Sequence, residues 1–283
     1  MTLRIDRVVL AVHDAERAAE GWTLLVGAKK ARREAAPLLG ADKLILQVGE
    51  SEVELLTPVA EDGLVAEHLN NKRGGPFAAG VAVPDLDGFR KHLKSIDVGC
   101  TDLGDQLFLS AKDTGAPGLK FIVSQWQDRK PVGNLKFLYE VTHLTDDAER
   151  DAAIIARLFD VDREGFVRIT SEQYGYDGYL TLFDTNKLDR IETIRPTDLT
   201  KTMGRFFDRF GPTMYMCYGE TDDVSAIRAR AKELAPNDWT GDDEEKPDGM
   251  FIHPSALGGV MLGISRTTHA WTWSGYPDRR IPA

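Results

Sequence analysis

An α+β fold of four strand–helix–three-strand modules, two in each half of the chain, is predicted by three observations. The segment Asp14-Ala15-Glu16-Arg17-Ala18-Ala19 recurs as Asp147-Ala148-Glu149-Arg150-Asp151-Ala152, 133 residues further on. Each copy follows an apolar strand-like run, Val8–Val12 or Phe137–Val141, and opens an amphipathic stretch that ends at Leu24-Leu25-Val26-Gly27 or Leu158-Phe159-Asp160-Val161. Within each half the order of strand and helix then restarts. The offset is too long for a solenoid period and is close to the size of one ordinary domain. Two homologous domains in tandem are therefore expected, residues 1–126 and 133–270, with a tail over 271–283. The polar, proline-containing stretch Gln125–Val132 reads as the linker between them.

The elements follow in order. Arg4–Val12 reads as a strand and Asp14–Gly27 as a helix, with Asp14 as cap and Glu16 in the first turn, where the helix dipole favours an acid. Lys43–Val48 and Val53–Leu56 are strands around the Gly49-Glu50-Ser51 turn. The second module restarts with strand Phe77–Val83, the Pro84-Asp85 turn and cap, helix Leu86–Ile96, and strands Asp105–Ser110 and Leu119–Val123. The third has strand Lys136–Thr142, helix Asp147–Phe159, and strands Phe166–Thr170, Gly178–Phe183 and Arg190–Arg195. Strand Thr213–Gly219, helix Val224–Leu234, and strands Gly249–Ile252 and Gly259–Ser265 complete the fourth. Tyr174-Gly175-Tyr176-Asp177-Gly178-Tyr179 reads as a hairpin. Trp271-Thr272-Trp273-Ser274-Gly275-Tyr276 is too apolar for a free tail and is expected to pack on a domain or a second subunit.

Composition excludes several classes of function. The chain has 283 residues, 42% hydrophobic and 28% charged, as soluble globular proteins do. No apolar run approaches the ~20 residues that cross a bilayer, so no membrane partner is expected. A net charge of −10 argues against nucleic acid, whose phosphates call for a basic surface. Met1–Asp6 lacks the apolar core of a signal peptide, and Cys100 and Cys217 form no CxxC; a cytoplasmic setting is expected. Gly241–Asp248 reads as a solvated acidic loop. Nucleotide-binding GxGxxG, Walker and GxSxG patterns are absent.

Four segments carry a family resemblance: Ile5–Asp14, Val53-Glu54-Leu55-Leu56-Thr57-Pro58, Gly80-Val81-Ala82-Val83-Pro84-Asp85-Leu86-Asp87, and Phe251-Ile252-His253-Pro254 with Gly258–Leu262. The chain resembles the vicinal oxygen chelate superfamily, which includes glyoxalase I, methylmalonyl-CoA epimerase, bleomycin-resistance proteins and extradiol dioxygenases. The resemblance implies glyoxalase-like domains, each with a U-shaped mixed sheet whose trough usually holds a divalent metal. The family's ligand positions fall on Arg7, Glu54, Ala78 and Lys120 in the first half and on Glu140, Glu192, Met216 and Gly263 in the second. A metal needs three or four convergent N, O or S donors. Guanidinium and ammonium groups carry no lone pair to give, so the first trough is expected to be a charge-neutralised cluster of Arg7, Glu54 and Lys120. No cofactor is expected in the second, and a divalent ion at Glu140 and Glu192 is the lesser alternative.

In the implied fold Glu140 and Glu192 lie on neighbouring strands. Two carboxylates in a low-dielectric trough cannot both ionise comfortably, so one pKa should rise unless Arg190 or Arg195 pairs with them. This suits proton transfer beside a carbonyl. Glu140 and Glu192 are thus the candidate catalytic residues, with Tyr218, His253 and Met216 as candidate substrate-binding residues. His143 is expected on the face opposite Glu140, at the surface or between sheets, and His13, His68, His92 and His269 are expected to be exposed. The implied activity is that of an epimerase, isomerase or lyase on a small carbonyl or CoA-thioester compound. Two alternatives stay open: a non-catalytic drug- or metabolite-binding protein of the bleomycin-resistance type, and a metal-dependent lyase or dioxygenase-like enzyme. The partner is a small molecule, and a homodimer is compatible because this fold pairs its units within or between chains.

Overall fold

The computed structural model describes residues 3–71, 74–241 and 245–281. Two eight-stranded mixed sheets and seven α-helices are found among these residues, so the α+β expectation holds. The first module contains β1 (Arg4–Ala11), α1 (Ala15–Val26), β2 (Lys29–Ala36), β3 (Ala41–Val48), β4 (Ser51–Pro58) and α2 (Leu64–Asn71). The second contains β5 (Gly75–Val83), α3 (Leu86–Ser95), β6 (Thr101–Asp102), β7 (Gln106–Leu109), α4 (Ala111–Thr114) and β8 (Phe121–Gln125). The third contains β9 (Phe137–Leu144), α5 (Ala148–Phe159), β10 (Val167–Ser171), β11 (Tyr176–Leu182), β12 (Arg190–Pro196) and α6 (Thr202–Phe210). The fourth contains β13 (Thr213–Thr221), α7 (Val224–Leu234), β14 (Trp239–Gly241), β15 (Gly249–Ile252) and β16 (Met261–Arg266). The sheet orders are β2-β3-β4-β1-β5-β8-β7-β6 and β10-β11-β12-β9-β13-β16-β15-β14, the same path taken twice.

The repeat has a local cause. Each module's long helix is opened by an aspartate whose carboxylate accepts from the backbone N–H three residues ahead: Asp14 from Arg17, Asp85 from Gly88, Asp147 from Arg150 and Asp223 from Ala226. That bond satisfies one of the orphan donors of a helix start. Gly27 ends α1 with φ +73, the left-handed conformation that glycine adopts without a Cβ penalty. Residues on the helix-facing side of the sheets are almost wholly buried, for example Ile191, Cys217 and Leu262.

Three strands and three helices lie outside the expected elements. β2 reads KKARREAA and shows no apolar alternation, because it is an edge strand exposed on both faces that pairs with β3 through its backbone. β6 and β14 are too short to leave a pattern. α2 and α6 follow the last strands of their modules, and only Gly204 of α6 is buried. The expected hairpin is present as the antiparallel β10–β11 pair, closing at Ser171 and Tyr176.

By compactness the residues gather into two units. Unit one takes residues 78–127 and 140–215 with the N-terminal segment to Ile5, and unit two takes residues 6–77, 128–139 and 216 onward. Each is described by itself below. The linker stretch ends at a bridge between Val132 and Gly49 in unit two. The C-terminal segment packs within the same unit, where Trp273 lies against Tyr218 and Arg279 covers Trp271. Residues 242–244 of the acidic loop lie outside the described residues. Asp248 is not solvated as expected but paired with Arg266 at 2.8 Å and Arg280 at 2.6 Å. No helix among the described residues is long and apolar enough to cross a membrane.

Candidate functional site

Glu140 and Glu192 are brought together in unit one. β9 and β12 run parallel, and their register sets Arg190 beside Glu140 and Glu192 beside Thr142. Side chains alternate along a strand, so all four share one face. The other face carries His143 and Thr193, and the Thr193 hydroxyl donates to Ala148 O of α5. Glu140 and Glu192 thus face away from the helix.

The two carboxylates are treated unequally. Arg190 Nε donates to Glu140 Oε2 at 2.6 Å, and both side chains are buried. Arg190 Nη1 also donates to Leu188 O at 3.3 Å, which holds the guanidinium in place. Glu192 takes a hydrogen bond from the Thr142 hydroxyl at 2.7 Å, and no cation lies within ion-pair distance of it among the described residues. Burial raises the pKa of Glu140, with Arg190 and then Thr142 opposing the rise. Burial and then the charge of Glu140 push Glu192 up to about 8, opposed only in part by Thr142 and Arg190. This follows from like charges sharing a low-dielectric site in which one of the two has a counter-ion. Arg195 takes no part: it pairs with Asp177 at 2.7 Å on the opposite face.

Arg190, expected as a possible partner of the pair, and Thr142 and Tyr176 complete its surroundings. Arg190 and Thr142 each stand two residues from a candidate glutamate, so strand parity alone would have put them on its face. Tyr176 lies at the closing end of the expected hairpin. Its register partner is Pro196, and Leu180 on the same face partners Glu192. Burial raises the Tyr176 pKa, and the charges of Glu192 and Glu140 add to the rise.

The remaining candidates belong to unit two. Met216 is buried in β13. Tyr218 is half-buried, with Phe251 at 5.9 Å, Tyr139 at 6.0 Å and Trp273 at 6.4 Å between ring centroids. Gly263 is its register partner, and a Cβ there would overlap the Tyr218 ring. His253 sits half-buried after β15, its backbone N–H donating to Asp238 O at 2.8 Å.

The equivalent face of β1 and β4, also in unit two, is closed by charge. Arg7 reaches Glu54 at 2.5 Å, Asp6 at 2.7 Å and Glu52 at 3.5 Å. Lys43 lies 3.6 Å from Glu54, and Arg129 lies 3.3 Å from Glu52. Lys43 and Arg129 thus join Arg7 and Glu54 in the neutralised cluster. Four histidines differ from expectation, His92 and His269 being half-buried rather than exposed. His143 is fully buried, its Nδ1 3.3 Å from Asp151 of α5, and His68 is buried edge-on against Phe77.

The donor set at Glu140 and Glu192 does not suit a divalent ion. Arg190 takes one oxygen of Glu140, Glu192 adds one carboxylate, and no three His, Cys, Asp or Glu side chains converge among the described residues.

Residues 6–107 match the model of the Glyoxalase/Bleomycin resistance protein/Dioxygenase superfamily. Over 92 residues the chain is 29% identical to mitochondrial methylmalonyl-CoA epimerase from Homo sapiens. The match takes in 32% of this chain and 52% of that protein, so the chain spans about half the length of the relative it matches. A mutant of 4-hydroxymandelate synthase from Streptomyces coelicolor superposes with a TM-score of 0.67 at 14% identity, covering 93% of this chain and 92% of that one. A fusion of a xylose isomerase-like TIM barrel with 4-hydroxyphenylpyruvate dioxygenase gives 0.61 at 12% identity, covering 93% of this chain and 48% of that one. At such identities the structures show the fold, and these matches together fit the superfamily expected from the sequence.

Proposed function

We propose that this chain, a vicinal oxygen chelate protein by fold, is a proton-transfer enzyme that works beside the carbonyl of a small molecule. One observation carries the reading: Glu192 is a buried carboxyl beside a second carboxyl, and among the described residues the cation at the pair binds the other one. A general base works best when its pKa lies near the working pH, and Glu192 is pushed into that range. In this reading Glu192 takes the proton from the carbon next to the carbonyl. The electron pair of the broken C–H bond moves toward the carbonyl oxygen, and the proton is returned to carbon from Glu192. Glu140, held by Arg190, raises the proton affinity of Glu192.

The substrate is a small ketone or a CoA thioester. The likeness to a methylmalonyl-CoA epimerase supports the thioester. No step passes through a metal. The substrate-binding roles of Met216, Tyr218 and His253 rest on the family resemblance alone and are kept apart from this assignment.

The test is exchange of the substrate's α-hydrogen in D2O, followed by NMR, with methylmalonyl-CoA and a panel of small ketones. Exchange by the wild type that is abolished in Glu192→Gln supports the reading. Equal exchange in both proteins would remove Glu192 from the chemistry. A ligand retained unchanged in native mass spectrometry, without any exchange, would favour a binding protein.

A further inference from the structure

Two registers set the side chains that surround Glu192 on its face of the sheet. Its partner across β11 is Leu180, and its partner across β9 is Thr142. Along β12 its same-face neighbours are Arg190 on one side and Ile194 on the other, and Leu144 is the register partner of Ile194. Direct partners on paired strands stand about 5 Å apart, so these groups border anything that reaches the carboxyl. The surroundings are divided. On one side lies the Arg190–Glu140 ion pair at 2.6 Å. On the other, Leu180, Ile194 and Leu144 are apolar and buried.

The one cation of this face is already engaged. Arg190 Nε donates to Glu140, and its Nη1 donates to Leu188 O at 3.3 Å. Among the described residues no second cation lies within ion-pair distance of either glutamate. With Glu192 ionised the pair and its arginine carry one net negative charge. Proton transfer keeps that total. The C–H bond breaks, its electrons form the C=C bond, the C=O pair moves onto oxygen, and the proton joins Glu192; the enolate gains the charge that Glu192 loses. A carboxylate on the reacting carbon, or on its carbonyl, would add a second negative charge with no counter-ion. Two like charges about 5 Å apart, at an effective dielectric near 20, repel by roughly a hundredfold in affinity.

We propose that the substrate is uncharged around its reacting carbon: an enolisable ketone or simple acyl thioester with an alkyl or aryl group that lies over Leu180 and Ile194. The Glu140–Arg190 pair determines this specificity, because it withholds the cation that a 2-oxo acid or a malonyl-type thioester would need. The inference rests on the proton-transfer reading and narrows it to thioesters and ketones without a carboxylate at the reacting centre.

The experiment measures α-hydrogen exchange in D2O by NMR on matched pairs: butanone against 2-oxobutyrate, and propionyl-CoA against methylmalonyl-CoA. Each kcat/KM is divided by the uncatalysed rate of the same compound. The wild type should favour the uncharged member by about a hundredfold. Glu140→Gln leaves Arg190 its charge without its carboxylate, so this preference should shrink by roughly tenfold or more. A purely structural pair would lower both rates and leave their ratio alone. Exchange as fast for the charged member as for its uncharged partner in the wild type overturns the inference and leaves the proton-transfer reading standing. A ratio unmoved by Glu140→Gln overturns the role of the ion pair. If that variant fails to fold, the wild-type ratio still decides the substrate class. Absence of exchange with every compound overturns both readings.

Discussion

Glu140 and Arg190 are direct register partners joined at 2.6 Å, and they reverse the charges of Arg7 and Glu52, the matching partners in the first sheet. In the first sheet the arginine on the opening strand serves Glu52 and Glu54 together, with Lys43 and Arg129 in support. In the second, the arginine has moved to the fourth strand and serves the glutamate on the first. Glu192, the counterpart of Glu54, is left with a hydroxyl. The exchange of one charge between two strands thus separates a neutralised cluster from one in which Glu192 has a hydroxyl in place of a cation.

Arg190→Met should destabilise the protein by about 3–5 kcal/mol, since it strands Glu140 as a buried charge. Adding Glu140→Gln should recover most of that loss. Denaturant unfolding of the two single variants and the double variant measures the coupling; simple additivity would show that the pair is not an energetic unit.

Stability should fall as pH rises through neutrality, with Asp189 as one source. Its carboxylate is buried and accepts the Ile5 N–H at 2.8 Å, and burial raises its pKa to about 7. A group whose folded pKa is raised contributes stability that is complete below its unfolded value and lost as pH climbs through the folded value. Asp189→Asn keeps an oxygen for Ile5, so its melting temperature should exceed that of the wild type at about pH 8 and converge with it at about pH 4. An identical pH dependence in the two proteins would contradict this.

Gly259→Ala should cost roughly 1–3 kcal/mol, the range for strained backbone. Its φ is +98, and a Cβ would overlap the carbonyl oxygen of Gly74. Gly211→Ala is the control, because φ there is +66 but nothing lies within 4 Å of the added carbon. Calorimetry should give the larger loss at position 259; equal losses would show that crowding adds nothing to strain.

The repeated Asp-Ala-Glu-Arg segment exposed the modular order because each copy performs the same local task, capping the helix that follows the first strand. Glu140 and Glu192 were legible as a pair because strand alternation and the family's strand order put them on one face. Which of them Arg190 would take was not legible, since that depends on the β9–β12 register, a long-range property. β2 was hidden for a similar reason: its charged side chains carry no alternation, and only its pairing with β3 makes it a strand. His143 was expected at the surface or between sheets, yet it is wholly buried against Asp151, because β9 is covered by α5 along that side.

Raising pH should speed the wild-type reaction until Glu192 has lost its proton, at about 8. The same ionisation weakens the fold, because the folded state holds that proton more tightly than the unfolded chain. Glu192→Gln should therefore melt above the wild type at alkaline pH while showing no α-hydrogen exchange. A variant that melts below the wild type at every pH would instead assign Glu192 a supporting role in the fold.

The carboxyl carbon of Glu192, assigned by its loss in Glu192→Gln and followed by 13C NMR across pH in the intact chain, measures the protonation split most directly. The account predicts a titration near 8, moving downward when Glu140 is changed to Gln. A midpoint in the ordinary glutamate range, unaffected by Glu140, would contradict it.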